Sequence, residues 1–359
     1  MKQIIFSLLF FILVSQMAWA VRSPVQTIAE TPYKSALVLN ADTGETLFAD
    51  NADTLVYPAS VLKLMVLLVT LERIEQGTLN LDDMVQVTVE AYKMGGSQVY
   101  LDPKEQFPVG ELLYALMVQS ANDAAVALAT HIAGSKESFV ALMNQRAEEL
   151  GMKNTHFYSV HGLPPAEGQK VDVTTARDFG IFCRELAKRP EVFKYTGTRV
   201  RDFREGNFVM RNHNHLLENV GGCDGFKTGY FKAAGFSIAA TVKRNGVRII
   251  AIVMGSRDPK VRDAKATELL AKGFAMVPPV PEQAMAAAQP KSAQKTTATP
   301  ILPEPKVAVS IVQNEKLVPP ANKGGWSKFF VGLGVGATLC AALTFFISKK
   351  RTKTNKYRR

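Results

Sequence analysis

Residues 63–76 constrain the fold more than any other stretch. Leu64-Met65-Val66-Leu67-Leu68-Val69-Thr70-Leu71 is apolar on nearly every side before the run stops at Gly77, which predicts a helix buried in the middle of a domain and not one lying on its surface. The run is entered through Pro58-Ala59-Ser60-Val61-Leu62-Lys63. A long cation at the head of such a helix must meet a partner, face a cleft or lose its charge. Residues three apart share a helix face, so Ser60 Oγ and the Lys63 amine can meet, pairing a weak nucleophile with a base. Taken alone, Ser-x-x-Lys is weak: it recurs by chance, and Ser60 serves equally well as a helix cap.

Both ends are set aside before domains are counted. Met1-Lys2-Gln3, an apolar run over residues 4–14 and then Ala18-Trp19-Ala20 have the three regions of a secretory signal, predicting cleavage after residue 20; an uncleaved N-terminal anchor is the alternative. Residues 329–347 carry no charge and are long enough to cross a bilayer, and Lys349-Lys350-Arg351 follows at once. The positive-inside rule puts that tail in the cytoplasm and everything before the span outside. Residues 1–20 are thus expected to be a signal peptide, 21–277 an exported domain, 278–328 a disordered linker poor in aromatics, 329–348 a transmembrane helix and 349–359 a basic cytoplasmic tail. Gly332 and Gly336, four apart on the span, would let two such helices pair closely as a dimer.

This division changes the meaning of the net charge of +11. The tail supplies seven of those charges, the linker three and Lys2 one, which leaves the exported domain with none. Nucleic acid is therefore excluded as a partner, because the positive charge is topogenic and not a patch on a folded face. Of the three cysteines, Cys340 lies in the span. Cys183 and Cys223 are read as free thiols, with pairing in an oxidising exterior as the alternative.

Within the exported part, residues 34–49 read as a hairpin turning at Asp42-Thr43-Gly44. Helical periodicity covers residues 109–118 and 123–131, with Asp123 placed as a cap, and residues 138–150 and 174–186. After Arg189-Pro190 the character changes to strands. Three apolar runs at 226–230, 236–243 and 247–254, the last two joined by Asn245-Gly246, precede a closing helix at 263–274. Strands at both ends with helices between them describe an α/β (α+β type) fold: an antiparallel sheet flanked by helices, plus a helical lobe.

Two further motifs raise the weight of Ser60 and Lys63. Ser120-x-Asn122 breaks two helices, and Lys227-Thr228-Gly229 lies on a predicted strand, where a cation, a hydroxyl and a glycine let a ligand backbone lie close. The ordered triple marks penicillin-binding proteins and class A β-lactamases. With Leu142-Met143-Asn144-Gln145-Arg146, Leu150-Gly151-Met152-Lys153-Asn154-Thr155-His156-Phe157, His161-Gly162-Leu163, Thr175-Ala176-Arg177-Asp178 and Ala234-Gly235-Phe236, the chain resembles the low-molecular-mass penicillin-binding proteins of peptidase family S11, from about residue 33 to 274. The resemblance implies a DD-peptidase/β-lactamase-like fold and a serine-type D-Ala-D-Ala carboxypeptidase. Such an enzyme removes the terminal D-Ala of peptidoglycan stem peptides and is blocked covalently by β-lactams. No cofactor and no metal is implied.

On that reading Ser60 attacks the penultimate carbonyl and Lys63 takes its proton, its neutral form favoured by burial and by Lys227. Ser120 relays the proton to the departing D-Ala. Asn122 holds the substrate amide and orients Lys63. Lys227 and Thr228 bind the terminal carboxylate beside Gly229, Arg262 assists them, and the backbone N–H groups of Ser60 and Tyr230 form the oxyanion site. Ala121 and Tyr230 depart from the family's usual glycine and histidine. A β-lactamase is the nearest alternative, but no Glu-x-x-Asn lies between Asn122 and Lys227. A DD-endopeptidase cutting cross-links and a penicillin sensor without turnover are the others. His213 and His215 alternate as on one strand face; a polar face is preferred there over a metal site.

Overall fold

Ser35–Asn40 and Val247–Ser256 are buried along their whole lengths, and a strand without a solvent face needs apolar cover on both sides. The computed structural model describes residues 25–278. Its strands are β1 (Ser35–Asn40), β2 (Thr46–Asp50), the small hairpins β3 (Met84–Gln86) with β4 (Gln106–Pro108) and β5 (Val200–Phe203) with β6 (Phe208–Arg211), then β7 (Cys223–Phe231), β8 (Gly235–Arg244) and β9 (Val247–Ser256). A five-stranded sheet runs β2-β1-β9-β8-β7, every neighbouring pair antiparallel.

The two-residue period of the strands sorts the cover. Ala36 and Val38, with Ile249, Ala251 and Val253, pack under Leu269 and Leu270 of the closing helix Pro259–Met276. Leu37 and Leu39, with Ile250, Ile252 and Met254, join the larger core shared with the helical lobe. Helix Ala176–Ala187 lies directly on that second face: a Cβ on Gly180 would stand 2.3 Å from a Leu37 methyl. The central helix Lys63–Glu75 is buried from Lys63 to Leu71, and each of its large apolar side chains contributes about 1.5–3 kcal/mol by leaving water.

The expected hairpin, sheet and central helix are therefore present, and several details differ. The closing helix begins at Pro259, because Asp258 Oδ1 accepts from the N–H groups of Lys260 and Val261 at 2.7 and 3.0 Å. Where strand character was expected after Pro190, Glu191–Thr196 is helical and stacks Phe193 on Phe226 with ring centroids 6.0 Å apart. Proline favours such a start, since its fixed φ already suits the first turn of a helix. Asp123 is not a cap: Ala121 occupies that position, and Asp123 is fully buried inside helix Asn122–Ala133. His213 and His215 are not on a strand. They lie past the end of β6, on the bend leading into the short helix Leu216–Asn219, and no cluster able to hold a metal ion occurs among the described residues.

Cys183 and Cys223 are both free; burial pushes the Cys183 thiol well up and that of Cys223 to about 11. The expected signal peptide, linker and C-terminal span, with the Gly332/Gly336 pairing site, lie outside the described residues, among which no helix is long and apolar enough to cross a membrane.

Candidate active site

The nucleophile candidate sits on a tight 3₁₀ turn, Ala59–Leu62, that runs straight into the central helix. Ala59 has φ +48°, a conformation costly for a side chain with a Cβ. Lys63 Nζ donates to Ser60 Oγ at 2.9 Å and to the His161 carbonyl oxygen at 2.6 Å. Lys63 is completely buried. Burial first, and then the Lys227 charge, hold its amine well below the ordinary lysine value, while Asp172 and Asp123 oppose that shift. An amine in this state can be neutral and can take the hydroxyl proton. Burial is the main cause that pushes the His161 imidazole down to about 3, so that ring is neutral at physiological pH.

The second wall depends on an irregular helix end. After Val109–Tyr114 the chain makes a π-type turn over Ala115–Gln119, closed by a hydrogen bond of 3.1 Å from Ala121 N–H to the Ala115 carbonyl, and it leaves Ser120 in the left-handed region at φ +60°. Such insertions re-aim a side chain and recur at functional sites. Asn122 Nδ2 donates to the Gly95 carbonyl at 2.6 Å, and Asn122 N–H donates to that of Ser97 at 2.8 Å. Its Oδ1 is buried without a hydrogen-bond partner, which suits an acceptor waiting for a ligand N–H. The hydrogen bonds of Lys63 go to Ser60 and His161, and the Asn122 amide makes none with it. Asp123 Oδ2 accepts from Val99 N–H and Leu101 N–H, both at 3.1 Å, which ties the 95–101 loop to this helix.

The third wall is β7, an edge strand, whose outward backbone groups are free to pair with an extended ligand. Gly229 lets it approach the nucleophile turn: a Cβ there would stand 2.8 Å from Pro58 O, Ser60 N and Val61 N. Lys227 is buried at 1% exposure, its Nζ donates to the Thr228 carbonyl at 3.2 Å, and burial, aided by Arg262, pushes its amine down to about 7. Tyr230 is 52% exposed and stacks on Phe236 with centroids 4.0 Å apart. Arg262 is buried, with Nε donating to Asp263 at 2.8 Å. Ser60, Ser120, Thr228, Gly229, Tyr230 and Arg262 all face one cavity of about 500 Å³, which His213 and His215 also border. The His161 carbonyl, as an anchor for Lys63, is set by tertiary structure and not by any local spacing. The only signal for it was the His161-Gly162-Leu163 string.

A family model described as D-alanyl-D-alanine carboxypeptidase, peptidase S11, matches residues 21–258. The D-alanyl-D-alanine carboxypeptidase DacF of Bacillus subtilis is 38% identical over 244 residues, 67% of this chain and 62% of that protein. DacA of Escherichia coli is 33% identical over 261 residues, 71% of this chain and 64% of that protein. The chain thus spans a little under two thirds of the length of these curated relatives. Among solved structures, penicillin-binding protein D2 of Listeria monocytogenes in its ampicillin-bound form superposes with a TM-score of 0.61 at 30% identity, covering 67% of this chain and 97% of that one. Penicillin-binding protein 6B of Escherichia coli gives 0.63 at 32%, covering 71% and 79%. The sheet, the helical lobe and the cleft between them are therefore the DD-peptidase fold, and the chain belongs to the peptidase S11 family of D-alanyl-D-alanine carboxypeptidases.

Proposed function

We propose that the protein is a serine-type D-Ala-D-Ala carboxypeptidase that trims peptidoglycan stem peptides through an acyl-enzyme on Ser60 and is acylated there by β-lactams. The observation that carries this reading is the contact of 2.9 Å between Ser60 Oγ and the buried, depressed amine of Lys63. Lys63 accepts the hydroxyl proton as Oγ attacks the penultimate carbonyl, and the oxyanion is held by Ser60 N–H and Tyr230 N–H. The substrate amide donates to the free Oδ1 of Asn122. Ser120 passes a proton to the leaving D-Ala nitrogen, and Lys227, Thr228 and Arg262 hold the terminal carboxylate. Release of D-Ala from a pentapeptide by the full-length protein tests the reading, and a protein that binds penicillin but releases no D-Ala would contradict it.

The pH dependence follows from the direction of the Lys63 shift. A neutral base is required, and the neutral fraction grows as pH rises through a value depressed well below that of ordinary lysine. The limiting rate of acylation, at saturating penicillin, should therefore rise with pH and reach its plateau well below the pH at which a free lysine titrates, while capture weakens as Lys227, its amine held to about 7, loses its charge. A limiting rate that falls with pH over the same range, followed with a fluorescent penicillin, would rule out Lys63 as base.

The termini complete the proposal. Residues 1–20 export the chain, residues 329–348 anchor it, and the catalytic domain works outside the cytoplasm on a tether of residues 278–328. A flexible chain of that length would have an end-to-end distance of about 40 Å. Deleting most of the tether while keeping the span should reduce wall trimming in cells, measured from muropeptide pentapeptide content, yet leave activity on a soluble peptide unchanged. Unaltered trimming by the shortened form would show that tether length has no role.

A further inference from the structure

Asp172 is buried at 4% exposure and has no part in the chemistry derived above. Its Oδ1 accepts from Tyr158 N–H at 2.6 Å and Ser159 N–H at 2.9 Å, and its Oδ2 accepts from the Ser159 hydroxyl at 2.7 Å. Ser159 Oγ in turn accepts from Gly162 N–H at 2.9 Å. Between those two residues lies His161, whose carbonyl takes the hydrogen bond from Lys63. One side of Asp172 therefore fixes the loop that holds the base.

The backbone beside Asp172 fixes the nucleophile segment as well. Val173 pairs with His156 in both directions at 2.9 and 3.0 Å, and Thr174 pairs with Val56 in both directions at 2.9 and 2.8 Å, four residues before Ser60. Gly162 is pressed against the same turn, with no room for a Cβ beside the Ala59 carbonyl. Two segments far apart in sequence, 56–63 and 158–162, are thus held in register through residues 172–174.

We infer that Asp172 is a positioning residue for the acylation step: it sets the His161 carbonyl against Lys63, and its carboxylate charge biases that lysine. This rests on the reading of Ser60 and Lys63 as nucleophile and base. Charged or titratable groups face Lys63 from each wall: Lys227 from β7, Asp123 from helix Asn122–Ala133, His213 from the bend after β6, Asp172 and His161 from the loops behind it. Burial raises the Asp172 carboxyl above the ordinary aspartate value, and the three donors directed at it, with the Lys63 charge, oppose that shift. Where Asp172 is ionised, its charge favours the ammonium form of Lys63, so removing that charge should make the neutral base available at lower pH.

The test is the pH profile of acylation by a fluorescent penicillin, measured on the full-length protein with thermal melts alongside. Asp172→Asn keeps an acceptor for the two backbone N–H groups and loses the charge. It should be acylated within about tenfold of the parent rate, with the ascending limb moved down by about one pH unit. Asp172→Ala also releases the loop and should lose about 10²-fold at every pH. Ser159→Ala should fall between them, and it carries the positional half of the test if Asp172→Ala fails to fold. An unmoved limb in Asp172→Asn, or losses in the Ala variants no larger than their melts account for, would overturn the inference in favour of a merely structural aspartate. A parent protein that is not acylated at all would instead overturn the catalytic reading, and this inference with it.

Discussion

Lys63→Arg is expected to be acylated about 10²–10⁴-fold more slowly than the parent protein, the range spanned by loss of a general base, whereas Lys227→Arg should keep the limiting rate within about tenfold and raise KM. Both lysines are buried, and both amines are held below the ordinary value. Their tasks differ. Lys63 touches the nucleophile at 2.9 Å, and a guanidinium is never a neutral base at physiological pH, so arginine there keeps the charge and loses the chemistry. Lys227 stands on the edge strand beside Thr228 and contributes a charge, which arginine retains. That charge also helps to depress Lys63, so a neutral residue at 227 should move the acylation limb to higher pH. Stopped-flow acylation with separate limiting rates and half-saturation values distinguishes the two roles, and equal losses of limiting rate in both arginine variants would contradict them.

Gly162→Ala should cost the site nearly as much without touching any reacting group. Gly162 has φ +74°, and a Cβ there would stand 2.2 Å from the Ala59 carbonyl oxygen, 2.4 Å from its carbon and 3.0 Å from Ser60 N. All three are backbone atoms, so no side chain can swing away. Either the His161 carbonyl withdraws from Lys63 or the Ser60 turn shifts, and a displacement of about 1 Å at a reacting centre costs about 10²-fold. The left-handed backbone adds about 1–3 kcal/mol of strain, visible as a lower melting temperature. Gly168→Ala is the control: its φ is +77°, yet nothing lies within 4 Å of the added methyl, so strain alone should appear, with acylation unchanged. Gly162→Ala acylated as fast as Gly168→Ala would show that the close approach at Ala59 has no part in setting the site.

What could be read from the sequence was local. Ser60 with Lys63, Ser120 with Asn122, and Lys227-Thr228-Gly229 each carry their chemistry within a few residues, and the apolar periods of strands and central helix are equally local. What could not be read is tertiary. The acceptor that anchors Lys63 lies 98 residues away, and no spacing rule connects them. Nothing marks the π-type turn at Ala115–Gln119 either: Ser120 carries a left-handed conformation without a glycine to announce it. Asn122 and Asp123 are both residues that cap helices, so local preference could not tell that Asp123 would turn inward to hold the 95–101 loop. The start of the last helix was legible, since Asp258-Pro259 is a cap followed by a first-turn proline, but the apolar pattern drew the boundary four residues too late. His213 and His215 alternate as strand residues do, yet Asn214 is buried and its Oδ1 accepts from Leu216 N–H at 3.1 Å, which ends the strand and turns the chain into a short helix.

The central claim, that Ser60 is the residue that carries the acyl group, is tested most directly by peptide mass spectrometry of the full-length protein after exposure to penicillin. The account predicts one penicilloyl adduct per chain, on the proteolytic peptide containing Ser60, absent from Ser60→Ala and nearly absent from Lys63→Arg over the same exposure. An adduct on any other residue, or labelling that survives Ser60→Ala, would contradict it.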